Sequence, residues 1–291
     1  MTLFVDRLPD ARDMQRLQLL LSTFQDGSGM LEGGHAPGWR DFERAVASWL
    51  GGEASESKHI YDVHVRPAGR SLLSGFSCKM RGTLKDTRRK GDATIEVSNS
   101  AKKLWSSLKT AGITEENLSS NNAVLAGRTI IATAAAWHHE VSSEGGGPFD
   151  AENSPMLHLA YDPGTARQRL AGQQTEYQLF AFRHHLPGED EAAALRWSVT
   201  GNRLLGLRPD GSRGVEWYFG SGGQLKAYPK VVSAFWTSDP FNLEPLRRDA
   251  DIDVLTAKAL AYFPASWAAA TGLSARAAEE LGDSLKGPAE R

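Results

Sequence analysis

The spacing of apolar residues predicts helices in the first part of the chain. Residues 37 to 50 read PGWRDFERAVASWL, begin with a proline that suits a helix start, and are followed by a glycine pair that ends the pattern. One stripe of this helix is apolar: Trp39, Phe42, Val46, Trp49 and Leu50. A weaker helical pattern covers residues 11 to 24 and ends at the glycine-rich turn FQDGSGM.

After residue 52 the period changes from helical to alternating. Residues 60 to 66, 73 to 81 and 94 to 98 are predicted strands, and the basic segment GTLKDTRRKGD between the last two is a predicted loop. A helix is expected over SAKKLWSSLKT, capped by Ser98 or Asn99. The predicted order is therefore helix, three strands, helix.

The second half of the chain is mostly strand-like. Residues 124 to 141 are a predicted helix and residues 142 to 155 a long surface loop. The strand candidates that follow are EYQLFAFRH, LRWSVTGNRLLGL and GVEWYFG, with PDGSRG as a turn, and an alanine-rich tail from residue 254 to 281 is predicted to be helical. We expect an α/β (α+β) fold with a mixed central sheet flanked by helices. Residues 1 to 150 would form the core and residues 151 to 291 a β-rich part packed with it as one unit.

Composition places the chain among ordinary globular proteins. It has 291 residues, of which 41% are apolar and 23% charged, and no apolar run is long enough to cross a membrane. The N-terminus carries charges where a secretory signal needs apolar residues. Cys78 is the only cysteine, which excludes an internal disulfide and a multi-cysteine zinc site. We expect a cytoplasmic protein with no membrane association.

The net charge of −2 argues against indiscriminate coating of nucleic acid, but one region is strongly basic. Between residues 66 and 90 the only acid is Asp86, and the basic residues are Arg66, Arg70, Lys79, Arg81, Lys85, Arg88, Arg89 and Lys90. This run predicts either a solvated loop or a local surface for nucleic acid.

Strand alternation decides which polar side chains can meet. In LSGFSCKMR, Ser77, Lys79 and Arg81 share one face, whereas Phe76, Cys78 and Met80 share the other. If residues 60 to 66 and 94 to 98 are adjacent strands, Asp62 and Glu96 approach Lys79. Glu43 would join them from the helix. Carboxylates around one lysine suit phosphodiester hydrolysis, because they hold Mg²⁺ while the lysine stabilises negative charge on the phosphate.

The motifs around Glu43, Asp62 and Ser77-Cys78-Lys79 resemble those of the PD-(D/E)XK nucleases, whose core is helix, three antiparallel strands, helix, strand. The resemblance covers about residues 37 to 111 and is similar to the SxK variant of type II restriction endonucleases. It departs from the common pattern at Ser77, where an acid is expected, and Asp62 follows tyrosine rather than proline. Glu96 is the candidate for the missing carboxylate.

The resemblance implies a catalytic set and a metal. The catalytic residues would be Asp62, Lys79, Ser77, Glu96 and Glu43. Mg²⁺ would be held by Asp62, Glu43, Glu96 and the backbone carbonyl of Cys78. The implied substrate is double-stranded DNA, cut by a homodimer at a short specific sequence.

Contacts to DNA are expected from two further regions. They are the basic segment, with Arg81, Lys85, Arg88, Arg89 and Lys90, and the later glycine-flanked pair Gln224 and Lys226.

Two other functions stay open: a repair, structure-specific or phage-defence nuclease of the same fold, or an inert DNA-binding protein. Glu56-Ser57-Lys58 is a competing acidic-x-lysine triplet, interpreted as a loop. The adjacent His138 and His139 do not have the spacing of a helical zinc site.

Overall fold

A computed structural model describes residues 1–28, 38–55, 60–98, 100–162, 175–183, 186–220 and 223–243. The predicted tail helix and the Glu56-Ser57-Lys58 triplet lie outside these residues. The helices are α1 (Ala11–Ser28), α2 (Trp39–Leu50), α3 (Leu84–Lys90), α4 (Ala101–Thr110), α5 (Ala123–Val141) and α6 (Glu189–Ala194). The strands are β1 (Glu53–Ala54), β2 (Val63–Val65), β3 (Ser74–Arg81), β4 (Ile95–Ser98), β5 (Met156–Asp162), β6 (Glu176–Phe182), β7 (Arg196–Thr200), β8 (Arg203–Leu207), β9 (Arg213–Tyr218), β10 (Gln224–Ala227), β11 (Trp236–Thr237) and β12 (Phe241–Asn242).

The first sheet is mixed and has the strand order β1-β2-β3-β5-β6-β11, with β12 also paired to β6. β3 and β5 run parallel, with Lys79 opposite His158, while the other pairs are antiparallel. Strands β5 and β6 belong to the second half of the chain. The predicted mixed sheet, completed by that half, is therefore confirmed.

The second sheet is antiparallel, with the order β4-β10-β9-β8-β7. Its first strand is β4, which carries Glu96 and pairs with β10. The expectation that residues 94 to 98 lie beside β3 as the third strand of the catalytic sheet is wrong. A sequence pattern fixes which residues of a strand share a face, but the partner of the strand is a tertiary choice.

Helices lie on both faces of the first sheet and on one face of the second. α3 packs against β5, where Leu84 joins a small apolar cluster with Met156 and Phe180. α1 and α2 pack on the first sheet, where Val63, Phe76 and Cys78 join the largest apolar cluster. α4 and α5 pack on the second sheet around Trp105 and Trp217. The alternation predicted for β3 is confirmed, because Phe76 and Cys78 belong to the largest apolar cluster while Lys79 lies on the opposite face and is partly accessible.

The observed element order differs from the predicted order of helix, three strands, helix. α2 is followed by the antiparallel strands β1, β2 and β3, and α5 is followed by β5, which is parallel to β3. The segment α3-β4-α4 is inserted between β3 and α5. β1 lies beside β2 at the edge of the sheet, and the second neighbour of β3 is β5 rather than residues 94 to 98.

Three local expectations are wrong. The basic segment after β3 is helix α3 and not a loop, because its long side chains favour a helix that ends at Gly91 in the left-handed conformation (φ 70°). α1 continues to Ser28, beyond its predicted end at residue 24. α4 begins after Ser100, whose N–H donates to Ser98 Oγ at 3.1 Å.

Within the described residues, no helix is both long and apolar enough to cross a membrane.

Candidate active site

A cavity of about 520 Å³ opens between α2, the end of β3 and β4. Four of the five predicted catalytic residues line it: Glu43, Asp62, Lys79 and Glu96. The exposed ring of Trp39 stands at its rim, with 60% of the residue accessible. The cavity is thus assembled from one helix and from strands of both sheets.

Asp62 and Lys79 form the central contact of this cavity. Lys79 Nζ donates to Asp62 Oδ2 at 2.8 Å, and the backbone N–H of Cys78 donates to the same oxygen at 2.7 Å. Only 27% of the lysine side chain and 21% of the aspartate side chain are accessible. Because both groups are mostly shielded from water, their attraction is weakened less by solvent than that of a surface pair.

The backbone of Asp62 is fixed although it lies just before β2. Its N–H donates to the Phe76 carbonyl at 3.0 Å, and its own carbonyl accepts from Ser55 N–H at 2.9 Å. These bonds continue the ladders of β2 with β3 and with β1. The carboxylate is therefore held against β3 by main-chain bonds as well as by its own contacts.

Lys79 is held in its charged form. Burial by itself lowers the pKa of Lys79, but the charge of Asp62 and its hydrogen bond outweigh burial and raise the pKa above its usual value. Glu43 adds to this effect. Lys79 is thus a hydrogen-bond donor and a positive charge at neutral pH, and not a base.

Glu43 lies on α2, one residue from the buried Phe42, and faces the cavity. Burial, followed by the charge of Asp62, raises the pKa of Glu43 to about 7, while Lys79 acts in the opposite direction. Two carboxylates therefore repel each other across the cavity. A cation placed between them would relieve that repulsion.

Glu96 reaches the same cavity from the second sheet. Its Oε2 lies 3.6 Å from an Arg81 guanidinium nitrogen, and across the sheet it stands opposite Lys226. The predicted proximity to Lys79 thus arises from the packing of two sheets rather than from adjacent strands. Arg81 and Lys226 are thus the basic neighbours of Glu96, whereas the largest charge effect on Glu43 is repulsion by Asp62, partly offset by Lys79 and two arginines of α2.

Ser77 does not line the cavity, whereas Cys78 does. Ser77 is 4% exposed, and its hydroxyl donates to the Ile60 carbonyl at 3.4 Å, which ties β3 to the segment before Asp62. Burial, followed by the charge of Asp62, raises the pKa of the Cys78 thiol well above its usual value, so the thiol is inert. Its N–H donates to Asp62, and since N–H and C=O of one strand residue share an edge, the Cys78 carbonyl also points towards the cavity.

The donor set can be tested against the implied Mg²⁺. Among the described residues, no group of three or more His, Cys, Asp or Glu side chains is placed to hold a metal ion. Mg²⁺ is nevertheless commonly held by one or two carboxylates, with waters and substrate phosphates completing its shell. Asp62, the mutually repelling Glu43 and the Cys78 carbonyl meet that requirement.

The expected DNA-contacting residues divide into two groups. Lys85, Arg88 and Arg89 form exposed ion pairs with Asp162, Glu176 and Asp86. The other group is turned towards a second cavity, of about 900 Å³, that adjoins the first: Arg81, Lys90, Gln224 and Lys226. Exposed ion pairs contribute little and are easily broken, so the first group stays accessible to an anion.

Sequence reasoning missed a buried histidine beside the site. His158 lies opposite Lys79 on β5, is 0% exposed, and has no hydrogen-bond partner at Nδ1 or Nε2 among the described residues. Burial, followed by the charge of Arg81, lowers the pKa of His158 to about 4. The alternating apolar residues of MLHLAYD were the only signal; this segment was not among the predicted strands, and its parallel pairing with β3 was not predicted either.

Comparisons of the chain with protein-family models, with curated proteins and with solved structures gave no match. The functional argument therefore depends on the geometry and chemistry of the cavity itself.

Proposed function

We propose that this protein is a Mg²⁺-dependent endonuclease that hydrolyses phosphodiester bonds of duplex DNA at a specific short sequence, as a type II restriction enzyme does. It would act as a cytoplasmic homodimer, since two equivalent sites related by two-fold symmetry suit the cutting of both strands. The observation that carries the proposal is the 2.8 Å contact between Lys79 and Asp62, in a cavity shared with Glu43.

The chemical requirement of the reaction matches these side chains. Hydrolysis forms a bond from a water oxygen to phosphorus, breaks a phosphorus–oxygen ester bond, and passes the water proton to solvent or a base while the leaving oxygen gains one. Negative charge grows on the phosphate oxygens in the transition state. A fixed cation next to them is the main contribution that a protein side chain can make.

Lys79 supplies that cation. Asp62 keeps the lysine ammonium group charged and oriented, so Lys79 can donate a hydrogen bond to a phosphate oxygen without a prior rearrangement of its side chain. Glu43 has a pKa of about 7 before a metal binds, so a cation held there would displace its proton near neutral pH. Trp39 at the rim and the apolar wall of Met80 limit the access of bulk water.

Asp62, Glu43 and the Cys78 carbonyl would hold Mg²⁺, with Glu96 as a further carboxylate at the edge of the cavity. When bound, Mg²⁺ supplies charge neutralisation at the phosphate and lowers the pKa of a coordinated water. Because Mg²⁺ takes six ligands, these groups would leave positions for waters and for oxygen atoms of the substrate.

The test is cleavage of defined DNA by the full chain. Unmethylated plasmids of diverse sequence are incubated with Mg²⁺ or with EDTA, and the ends of the products are sequenced. We expect Mg²⁺-dependent discrete bands with one common end sequence. Lys79→Ala should abolish the bands, whereas Lys109→Ala, on the exposed side of α4, should not. Plasmid left intact by the wild-type protein at every Mg²⁺ concentration would contradict the proposal, and a smear would contradict its sequence specificity.

A further inference from the structure

The cavity of about 900 Å³ forms a groove between the polar face of the second sheet and α3, which we call the basic groove. Its lining contains three acids, Asp86, Asp92 and Glu216. The basic side chains that line it are Arg81, Lys90, Arg203, Arg213, Lys226 and Lys230. Basic residues therefore exceed acids two to one, in a protein whose net charge is −2.

The acids of the groove are already neutralised by basic neighbours. Asp92 lies 3.1 Å from Lys230 and 3.5 Å from Arg208. Asp86 contacts Lys90 at 3.4 Å, besides its contact with Arg89 outside the groove. An anion that enters the groove therefore meets a positive surplus rather than isolated carboxylates.

The buried carboxylate of Glu216 orients two of the arginines that line the basic groove. It is 4% exposed, accepts a hydrogen bond from the Tyr228 hydroxyl, and lies 3.4 Å from Arg203 and 3.3 Å from Arg213. The arginine side chains are about half accessible, at 48% and 54%. The buried Glu216 carboxylate thus orients two guanidinium groups whose outer edges remain accessible to an anion. The three groups together carry a net positive charge.

The groove is continuous with the candidate active site. Arg81 and Thr94 line both cavities. Across the second sheet, Glu96 stands opposite Lys226, and Lys226 opposite Glu216. Since neighbouring strands lie about 4.8 Å apart, this row leads from the edge of the active site to a point roughly 10 Å along the floor of the groove.

We propose that the basic groove binds the sugar-phosphate backbone of duplex DNA next to the bond that is cut. Lys226 and the arginines Arg203 and Arg213 contact successive phosphates, and Arg81 lies at the junction with the active site. This inference names the binding surface of the nuclease proposed above and rests on that function for its substrate. Binding and cleavage are nevertheless measured separately.

The experiment measures binding of a fluorescein-labelled DNA duplex by fluorescence anisotropy in EDTA, at salt concentrations from about 50 to about 300 mM. The full-length Lys226→Gln and Arg203→Gln proteins are compared with the wild type and with Lys109→Gln on α4. We expect each groove variant to bind the duplex about tenfold more weakly. The slope of the logarithm of affinity against the logarithm of salt concentration should become shallower by about one, because one fewer counterion is released. Lys109→Gln should bind as the wild type does.

Lys226→Gln removes the charge but keeps a polar side chain only one atom shorter at a half-buried position, so a folding defect is not expected, and thermal melting verifies this. The proposal is overturned if Lys226→Gln and Arg203→Gln bind the duplex with the affinity and salt dependence of the wild type. It is also overturned if the wild type binds single-stranded RNA in preference to duplex DNA, or binds no duplex at low salt. If the wild-type protein binds duplex DNA through the groove but cuts no DNA, the proposed nuclease function is refuted, whereas the proposed DNA-binding role of the groove is supported.

Discussion

Lys79 Nζ donates a 2.8 Å hydrogen bond to Asp62 Oδ2 across the end of the β2–β3 pair, 17 positions apart in the chain. The same carboxylate oxygen accepts the N–H of Cys78, so the aspartate is held by the strand that carries the lysine. The two side chains form one unit, and we expect a change in either to alter the position and charge of the other.

Removal of the lysine charge should stop the reaction without preventing binding. We expect Lys79→Ala to lower the single-turnover cleavage rate by about 100-fold to 1000-fold, the usual effect of losing one oriented donor at a developing negative charge. Duplex affinity in EDTA should change by less than about threefold, because the basic groove supplies most phosphate contacts. Equal losses of binding and cleavage would instead make Lys79 a binding residue.

Glu43 should show opposite effects on stability and activity. Its folded pKa of about 7 lies above the ordinary value of 4.5, so the stability associated with this group is complete below pH 4.5 and is lost as pH rises through 7. In EDTA at pH 8, Glu43→Gln should therefore unfold at the same or a higher urea concentration than the wild type. Cleavage with Mg²⁺ should fall about 100-fold or more. A variant that is less stable at pH 8 would contradict the repulsion between Glu43 and Asp62.

Glu96 should contribute less than Asp62 to metal-dependent cleavage. Its carboxylate lies 3.6 Å from Arg81, which offsets its charge and competes with a cation. We expect Glu96→Gln to lower the cleavage rate about tenfold, and Asp62→Asn to lower it about 100-fold or more. The Mg²⁺ concentration needed for half-maximal rate should rise less in Glu96→Gln than in Asp62→Asn. Equal effects of the two substitutions would place Glu96 among the full metal ligands.

His158 should make the protein sensitive to mild acid. Its folded pKa of about 4 lies below 6.5, so the unfolded chain binds a proton that the folded chain excludes, and stability falls as pH drops from about 6.5 towards 4. The full effect is of the order of 3 kcal/mol. Burial lowers the pKa of His138 to about 4 as well, so a second histidine contributes in the same window.

The measurement is urea unfolding at pH 7.5 and pH 4.5 for the wild type and His158→Leu. The variant lacks an unpartnered buried imidazole, so it should be as stable as the wild type at pH 7.5 and should lose about half as much stability at pH 4.5. His139→Leu, outside the buried set, is the matched control and should follow the wild type. An unchanged pH dependence in His158→Leu would show that His158 is hydrated in the folded protein.

Much of the candidate site follows from the sequence because strand alternation is a local property. The period of two in β3 separates Lys79 from Phe76 and Cys78 whichever strands lie beside it, and the helical period of α2 places Glu43 at the edge of its buried stripe. The mixed sheet was likewise predictable, since strand patterns continue in the second half of the chain.

Tertiary structure alone decided which strands pair and which charges are buried. β4 belongs to the second sheet, so Glu96 reaches the cavity beside Arg81 and opposite Lys226. The basic segment after β3 is a helix that forms one wall of the groove. His158 became buried because β5 pairs parallel to β3. Local patterns assign faces to residues, but strand partners are chosen by the packing of apolar faces that lie far apart in the chain, and no short segment of sequence encodes that choice.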